Sequence, residues 1–177
     1  MTNLHLIEKE ELKRSLRTRP GYIYDQAEYL IEQATYLFRV AICDESVFRN
    51  LISLTWVFTK NGMPRTLEHI VRQLRDRTWG QLVIDSPQVQ KGEWYRRVQV
   101  LYDQFDWDRM GPVFVTPVKG SRRNGENEGD ELKPSPTASL SIVSGLHCSL
   151  AAMTLIEEKK TEFRPVEAIL LLPRVDY

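Results

Sequence analysis

The segment that decides the fold reads VSGLHCSLAA and runs from residue 143 to residue 152. It closes an apolar run at residues 140–143 and leads into residues that favour a helix. A strand that ends in a glycine turn and opens into a helix leaves the first backbone N–H groups of that helix without intrahelical partners. Such groups suit a phosphate. A second interpretation stays equally open, because glycine and serine also occur in strand-to-helix turns for purely local reasons.

Length and charge limit the class of protein. The 177 residues fit one domain, or one domain with a substantial appendage, and can bury a core without disulfides. The 24 basic and 24 acidic side chains cancel to a net charge of zero. The chain as a whole therefore has no electrostatic attraction to nucleic acid or to an anionic membrane, and any such binding must come from local patches.

The sequence favours a cytoplasmic location. Residues 1–10 are polar and acidic and lack the basic and apolar regions of a secretory signal, and no stretch is apolar over the length of a bilayer span. Cys43 and Cys148 define neither a disulfide framework nor a metal site. The three histidines lack the spacing of a zinc motif, so we expect no structural zinc.

The first half of the chain predicts helices. Apolar residues recur every three or four positions at residues 25–40, which predicts an amphipathic helix. Asp44 is a typical N-cap for a second, more buried helix that ends at Asn61-Gly62. A third helix is expected from about residue 64 to residue 77. Residues 1–80 are therefore predicted to form a helical subdomain that packs on the rest of the chain.

The second half predicts a mixed sheet with helices. Turn residues separate short apolar segments from residue 81 onward, and residues 119–137 are rich in Gly, Asn, Ser, Pro and charge, which predicts a flexible loop. The expected elements are strands at residues 82–84, 112–118, 139–143 and 166–172, and helices at residues 93–105 and 149–159. The predicted fold class is α+β, with a mixed-sheet subdomain at residues 81–177.

Several of these pieces resemble a known family when they are taken in order. They are IDSP at residues 84–87, the helix with Arg96 and Arg97, PVFV at 112–115, SGLHC at 144–148 followed by AA at 151–152, and PVEA at 165–168. Together they resemble the ParB/sulfiredoxin superfamily over about residues 81–173. The resemblance does not extend to residues 1–80.

The family's glycine turn is only partly kept. Its members carry Gly-x-His-Arg at the turn, where the histidine and arginine approach nucleotide phosphates. Gly145 and His147 match this pattern, whereas Ser144 stands in place of the acid of ParB-like members and Cys148 in place of the arginine. Without the guanidinium, phosphate binding must use backbone N–H groups, His147, Ser149 and a basic residue from elsewhere.

Within that superfamily, the length and the helical first half are most similar to the plasmid fertility-inhibition proteins of the Osa type. The resemblance implies a cytoplasmic, plasmid-encoded protein that blocks DNA transfer through a conjugative type IV secretion system. It also implies ATP hydrolysis with Mg²⁺, cleavage of DNA, and a secretion coupling component as a partner. No insertion into a membrane is expected.

The candidate site residues follow from the turn and from this resemblance. The catalytic candidates are His147 and, as a carboxylate that could serve a metal or activate water, Glu93, with Asp85 as an alternative carboxylate. The candidates for binding nucleotide are Ser144, Gly145, Cys148, Ser149, Arg96, Arg97 and Lys91. DNA phosphates would meet Arg122 and Arg123 in the basic part of the loop, or Arg72, Arg75 and Arg77 at the end of the third helix.

Each candidate also has a purely structural explanation. His147 could satisfy carbonyls of the turn, the two serines could cap the helix, and Cys148 could be a packed, unreactive side chain. Arg97 lies one helical turn after Glu93 and could form an ordinary surface ion pair with it.

Two other functional classes remain open. The first is a catalytically inactive protein of the same fold, which inhibits transfer by docking to a secretion partner or to DNA. The second is a sulfiredoxin-like reductase, although the family's reactive cysteine corresponds to Leu146 here.

Overall fold

One mixed sheet organises the part of the chain that a computed structural model describes, namely residues 4–18, 24–53, 65–75, 93–118 and 140–173. The sheet has seven strands in the order β1-β2-β7-β5-β6-β3-β4. The elements are β1 (His5–Leu6), α1 (Lys9–Arg17), α2 (Tyr24–Gln33), β2 (Tyr36–Ile42), α3 (Glu45–Arg49), β3 (Ile52–Ser53), β4 (Arg65–Thr66), α4 (Leu67–Arg75), α5 (Glu93–Asp103), a 3₁₀ turn (Trp107–Arg109), β5 (Val113–Pro117), β6 (Leu140–Ser144), α6 (Leu146–Glu157) and β7 (Val166–Leu172). The predicted α+β class is confirmed.

Helices cover both faces of this sheet. Successive side chains of a strand point to opposite faces, so neighbouring residues of β5 belong to different parts of the core. Val113 and Val115 pack in a cluster with residues of α3, α4, α5 and α6. Phe114, which is fully buried, packs in a second cluster with residues of α1 and α2. The central strands are therefore enclosed between two helical layers.

Strand directions bring the glycine turn to one particular end of the sheet. β5 runs antiparallel to β6 and parallel to β7. The carboxyl end of β6 therefore lies beside the first residues of β5, at the same end of the sheet as the first residues of β7. We call this the Gly145 end of the sheet, since Gly145 follows β6 there.

Most of the predicted second half is confirmed. The strands expected at residues 112–118, 139–143 and 166–172 are β5, β6 and β7, and the helix expected at residues 93–105 is α5. The strand predicted at residues 82–84 and the loop predicted at residues 119–137 lie outside the described residues. In the first half, α4 confirms the third predicted helix, and the Asp44 side chain accepts a hydrogen bond from the Ser46 N–H as an N-cap should.

The predicted helix over residues 25–40 is wrong beyond Gln33. The helix α2 ends there, and residues 36–42 form β2, which pairs with β7 along all seven of its residues. The seven residues YLFRVAI are rich in aromatic and β-branched side chains that favour strands. Their apolar spacing also fits a helix, and the hydrogen bonds offered by β7 decide between the two.

The second predicted helix is also too long. It ends at Arg49, and the Asn50 side chain donates to the Ser46 carbonyl at 2.8 Å as the helix stops. Ile52 and Ser53 then form β3, which pairs in parallel with β6. The remainder of that predicted helix, at residues 54–61, lies outside the described residues.

These corrections change the predicted domain organisation. The first 53 residues supply β1, β2 and β3 to the same sheet that holds β5, β6 and β7. The described residues before position 80 are therefore not a purely helical unit. Neither β1 nor α1 was predicted from the sequence. For β1 the reason is physical: a short edge strand has almost no periodicity of its own, so only its partner strand identifies it.

A residue just after the end of α6 has a left-handed backbone conformation, and replacing it with glycine should stabilise the protein. Lys159 has a φ of 57°, and the N–H groups of Lys159 and Lys160 donate to the carbonyls of Ile156 and Leu155 in a Schellman arrangement. Glycine adopts this left-handed conformation without the steric cost that a side chain carries. We expect Lys159→Gly to raise the free energy of unfolding by about 0.5–1 kcal/mol in urea denaturation. Lys160→Gly, one position beyond the left-handed residue, should bring no gain.

An ion pair between α1 and α2 predicts a pH dependence. Lys13, whose side chain is only 11% exposed, donates to Glu32, and this hydrogen bond lowers the pKa of Glu32 below its ordinary value of 4.5. A lowered carboxyl pKa stabilises the folded protein above pH 4.5, and the contribution is lost as the pH falls through the folded-state pKa. Glu32→Gln should therefore destabilise the protein at neutral pH, with the difference from the wild type disappearing below pH 4.5. Thermal melts across pH would measure it, with Glu10→Gln as the control, since the Glu10 side chain is 77% exposed and contacts the same Lys13 at 3.4 Å.

Candidate functional site

Gly145 forms a turn that no other residue type would form without strain. Its φ is 92° and its ψ is 14°, in the left-handed region. A Cβ atom at this position would lie 3.0 Å from Cγ1 and 3.3 Å from Cα of Val113, the first residue of β5. The glycine therefore serves both the backbone conformation and the close approach of the turn to the neighbouring strand.

The helix begins directly after this glycine, which corrects the predicted start at Ser149. The Ser149 N–H donates to the Gly145 carbonyl at 3.1 Å, so the first intrahelical hydrogen bond already closes over residues 145–149. Leu146, which is only 9% exposed, packs in the core as the first helical residue. His147 and Cys148 consequently lie in the first turn of α6 rather than in the turn that precedes it.

The two serines do not act as predicted helix caps. Ser149 is fully buried, and its hydroxyl donates to the Gly145 carbonyl at 2.8 Å. In this structure the hydroxyl proton of Ser149 is therefore directed to that carbonyl and not toward a phosphate position. Ser144 is the half-buried last residue of β6 and pairs with Phe114 of β5. Gly145 itself is the N-cap, and no side chain caps α6.

Cys148 brings no charge to the start of α6. It is half-buried, and burial raises the pKa of its thiol above the ordinary value of 9.0. The thiol is therefore protonated at neutral pH, and it neither replaces the missing guanidinium nor forms a reactive thiolate. His147 is also half-buried in this turn.

The first turn of α5 lies at the same end of the molecule. Near the far end of α5, Tyr102 donates to Glu158, which follows α6, and Trp107 Nε1 donates to Thr161 Oγ1 at 3.0 Å. The two helices also pack along their length, so they run in the same direction. Since α5 has 11 residues and α6 has 12, both begin near the Gly145 end of the sheet.

The parallel arrangement places three predicted site residues in the helix that begins at the Gly145 end of the sheet. Glu93, Arg96 and Arg97 all belong to the first turns of α5. Lys91 and Asp85 lie outside the described residues. The structure thus brings the backbone of three candidates to the same end as Gly145, although nothing in the apolar pattern of the sequence indicates that α5 and α6 are parallel neighbours.

The described residues contain no ready-made metal site. No group of three or more His, Cys, Asp or Glu side chains in those ranges could hold a metal ion. This does not exclude a role for Mg²⁺, which commonly takes one or two carboxylates from the protein and its other ligands from phosphates and water. Of the predicted carboxylates, Glu93 lies within the described residues, as the first residue of α5 at the Gly145 end of the sheet.

The predicted DNA contacts are not strengthened. Arg72 donates to Glu68 one turn earlier in α4 at 2.8 Å, which is an ordinary helical ion pair. Arg75 is the last residue of α4. Arg77 and the loop residues Arg122 and Arg123 lie outside the described ranges.

The contact between Val113 and the Gly145 turn was not expected from the sequence. Its side chain limits the space above Gly145, and its position opposite the turn follows only from the antiparallel pairing of β5 with β6. No signal in the sequence marks this valine among the many others.

No protein-family model, no curated protein and no solved structure matches this chain. Among the described residues, no helix combines the length and the apolar character that crossing a membrane requires.

Proposed function

We propose that the chain binds the phosphates of ATP at the start of α6 and acts as a fertility-inhibition factor with a ParB/sulfiredoxin-like fold. The observation that carries the proposal is the left-handed Gly145, directly after which a twelve-residue helix begins with no side chain capping its first backbone N–H groups. Those N–H groups and the helix dipole favour negative charge at this position.

The residues at this end have complementary roles in the proposal. Backbone N–H groups of the first turn of α6 hold phosphate oxygens, and His147 donates a proton or a hydrogen bond to them. Arg96 or Arg97 of α5, with Lys91 before it, supplies the positive charge that Cys148 cannot supply. Glu93 orients water or a metal ion. Mg²⁺, when bound with the nucleotide, would neutralise phosphate charge.

The wider role follows from the family resemblance. A plasmid-encoded protein of this kind would act in the cytoplasm, hydrolyse ATP, cleave DNA and block its export through a conjugative type IV secretion system. DNA and a secretion coupling component would be its partners. Fold alone does not determine function, so the turn must be tested directly.

The deciding experiment is magnesium-dependent ATP hydrolysis by the purified protein and by His147→Ala. We expect hydrolysis by the wild type and a loss of at least about tenfold in the variant, as is typical for removal of an acid or base. His69→Ala on the exposed side of α4 is the matched control and should hydrolyse ATP normally. Equal rates for wild type and His147→Ala would place hydrolysis elsewhere and refute the proposed site.

One observation favours a second candidate, an inhibitor that docks without catalysis. Cys148 carries no charge, and the Ser149 hydroxyl already donates to the Gly145 carbonyl. The turn therefore has fewer donors for a phosphate than the family motif has. Such a protein would reduce the conjugation frequency of donor cells that contain it. The His147→Ala variant would reduce that frequency as much as the wild-type protein does. If the purified protein hydrolyses no ATP and His147→Ala still inhibits transfer, the docking role is correct.

Cys148→Arg separates the two candidates further. Restoring the family's arginine should increase ATP hydrolysis if the turn holds phosphates, because a guanidinium binds them in a bidentate manner. A docking inhibitor would gain no hydrolysis from the same change.

A further inference from the structure

Among the strands of the described residues, β1 is the outermost on one side of the sheet. It pairs antiparallel with β2, with His5 opposite Arg39, and the Ile7 N–H donates to the Leu37 carbonyl at 2.8 Å. Hydrogen-bonded and non-hydrogen-bonded pairs alternate along an antiparallel ladder. Since Ile7 and Leu37 form a hydrogen-bonded pair, His5 and Arg39 form the next one.

The backbone groups of Leu4 and Leu6 therefore point away from β2. In an antiparallel ladder the residues between hydrogen-bonded pairs direct their N–H and C=O groups to the other side of the strand. In the part of the chain that the structure describes, no strand pairs with this other side of β1, which is the edge of the sheet. The edge thus presents two N–H donors and two C=O acceptors at alternate residues.

The side chains of this edge are apolar on one face. Leu4 and Leu6 are 49% and 61% exposed, and they alternate with His5, so both lie on the same face. Tyr36 of β2, 54% exposed, and the half-buried Phe38 extend this apolar surface. Exposed edge strands in natural proteins usually carry lysine, other charges or proline that prevent pairing. Residues 4–7 read LHLI and carry none of these.

We propose that β1 pairs antiparallel with β1 of a second copy of this chain, about a two-fold axis at His5. In this register Leu4 lies opposite Leu6 of the second copy, Leu6 opposite its Leu4, and His5 opposite its His5. The two outer pairs are then hydrogen-bonded pairs, which gives four backbone hydrogen bonds across the interface. A two-fold interface of this kind is closed and stops at a dimer.

The edge suits a second copy better than a different strand, because it is complementary to itself. In the proposed register the leucines of the two copies lie side by side on one face, and the apolar surfaces around Tyr36 and Phe38 adjoin them. The net charge of zero gives two copies no overall repulsion. The contact involves few residues, so the dimer should be weak and depend on concentration.

Sedimentation velocity over about a hundredfold range of concentration tests the proposal by mass action. We expect the average mass of the full chain to rise toward that of a dimer. Leu6→Lys, and independently Leu4→Lys, should weaken association at least about tenfold, because lysine protects edge strands from pairing. Val100→Lys, at an apolar position of α5 that is 53% exposed, is the matched control and should not. Circular dichroism would verify that each variant is folded.

A charge swap at the two-fold axis tests the register itself. His5→Lys and His5→Asp should each weaken association, since each places like charges directly opposite each other. A mixture of the two variants should associate again, because the lysine of one copy then meets the aspartate of the other. A protein that stays monomeric at all concentrations, a dimer unaffected by Leu6→Lys, or a mixture that fails to associate would each overturn the proposal.

Discussion

Gly145→Ala should lower the free energy of unfolding by about 2–5 kcal/mol, the largest effect that we expect from a single change in this protein. About 1–2 kcal/mol comes from placing a side chain at a left-handed φ of 92°. The rest comes from the new Cβ atom, which would lie 3.0 Å from Cγ1 of Val113. Urea denaturation followed by circular dichroism would measure the difference.

A double-mutant cycle with Val113→Ala separates these two contributions. Shortening Val113 removes the Cγ1 atom but leaves its Cα atom, 3.3 Å from the new Cβ. In that background Gly145→Ala should cost less, with the steric part reduced and the cost of the backbone conformation retained. A cost below about 0.5 kcal/mol for Gly145→Ala in the wild-type background would mean that the turn relaxes freely, contrary to our expectation.

Arg49→Met should lower the free energy of unfolding by about 2–3 kcal/mol, less than the loss for a fully buried ion pair because the site is partly exposed. Arg49 joins three helices: it contacts Glu45 of α3 at 3.6 Å, Glu68 of α4 at 3.4 Å, and Glu157 of α6. Its side chain is 22% exposed and that of Glu157 is 15% exposed. Removing the guanidinium leaves neighbouring carboxylates facing one another without a shared cation.

Arg72→Met is the matched control for this prediction. Arg72 contacts the same Glu68, at 2.8 Å, but its side chain is 64% exposed. Exposed pairs of this kind contribute about 0.3–0.5 kcal/mol. The double variant Arg49→Met with Glu157→Gln should recover part of the loss, because one of the uncompensated charges is then absent. Equal losses for Arg49→Met and Arg72→Met would show that the three-helix contact adds nothing.

The two proposals concern different parts of the sheet and can fail independently. The proposed phosphate site follows β6, whereas the proposed dimer forms at β1, with β2, β7 and β5 between these strands. Leu6→Lys should therefore weaken dimer formation without changing ATP hydrolysis. His147→Ala should affect hydrolysis without changing the oligomeric state.

Only part of the candidate site could be predicted from the sequence. The glycine turn at residue 145 and the strand before it are local features, and the sequence indicated both. The hydrogen bond from the Ser149 hydroxyl to the Gly145 carbonyl and the contact of Val113 with the turn could not be predicted. Each depends on which atoms the folded chain brings nearby, and no residue type or spacing encodes that.

The sequence by itself determined the elements whose local signals agree with their surroundings. Strands β5, β6 and β7 have the apolar content of buried strands. Asp44 has a side chain that caps a helix, and Gly145, which has no side chain, suits the turn at a helix start. Only the tertiary structure decided the state of residues 36–42 and 52–53, whose apolar residues suit a helix and a strand alike. Their hydrogen-bonding partners in β7 and β6 lie far away along the chain, Ile42 pairing with Val166 and Ile52 with Ser141. Since a strand gains its backbone hydrogen bonds from another strand and a helix from itself, the choice was made by assembly of the sheet.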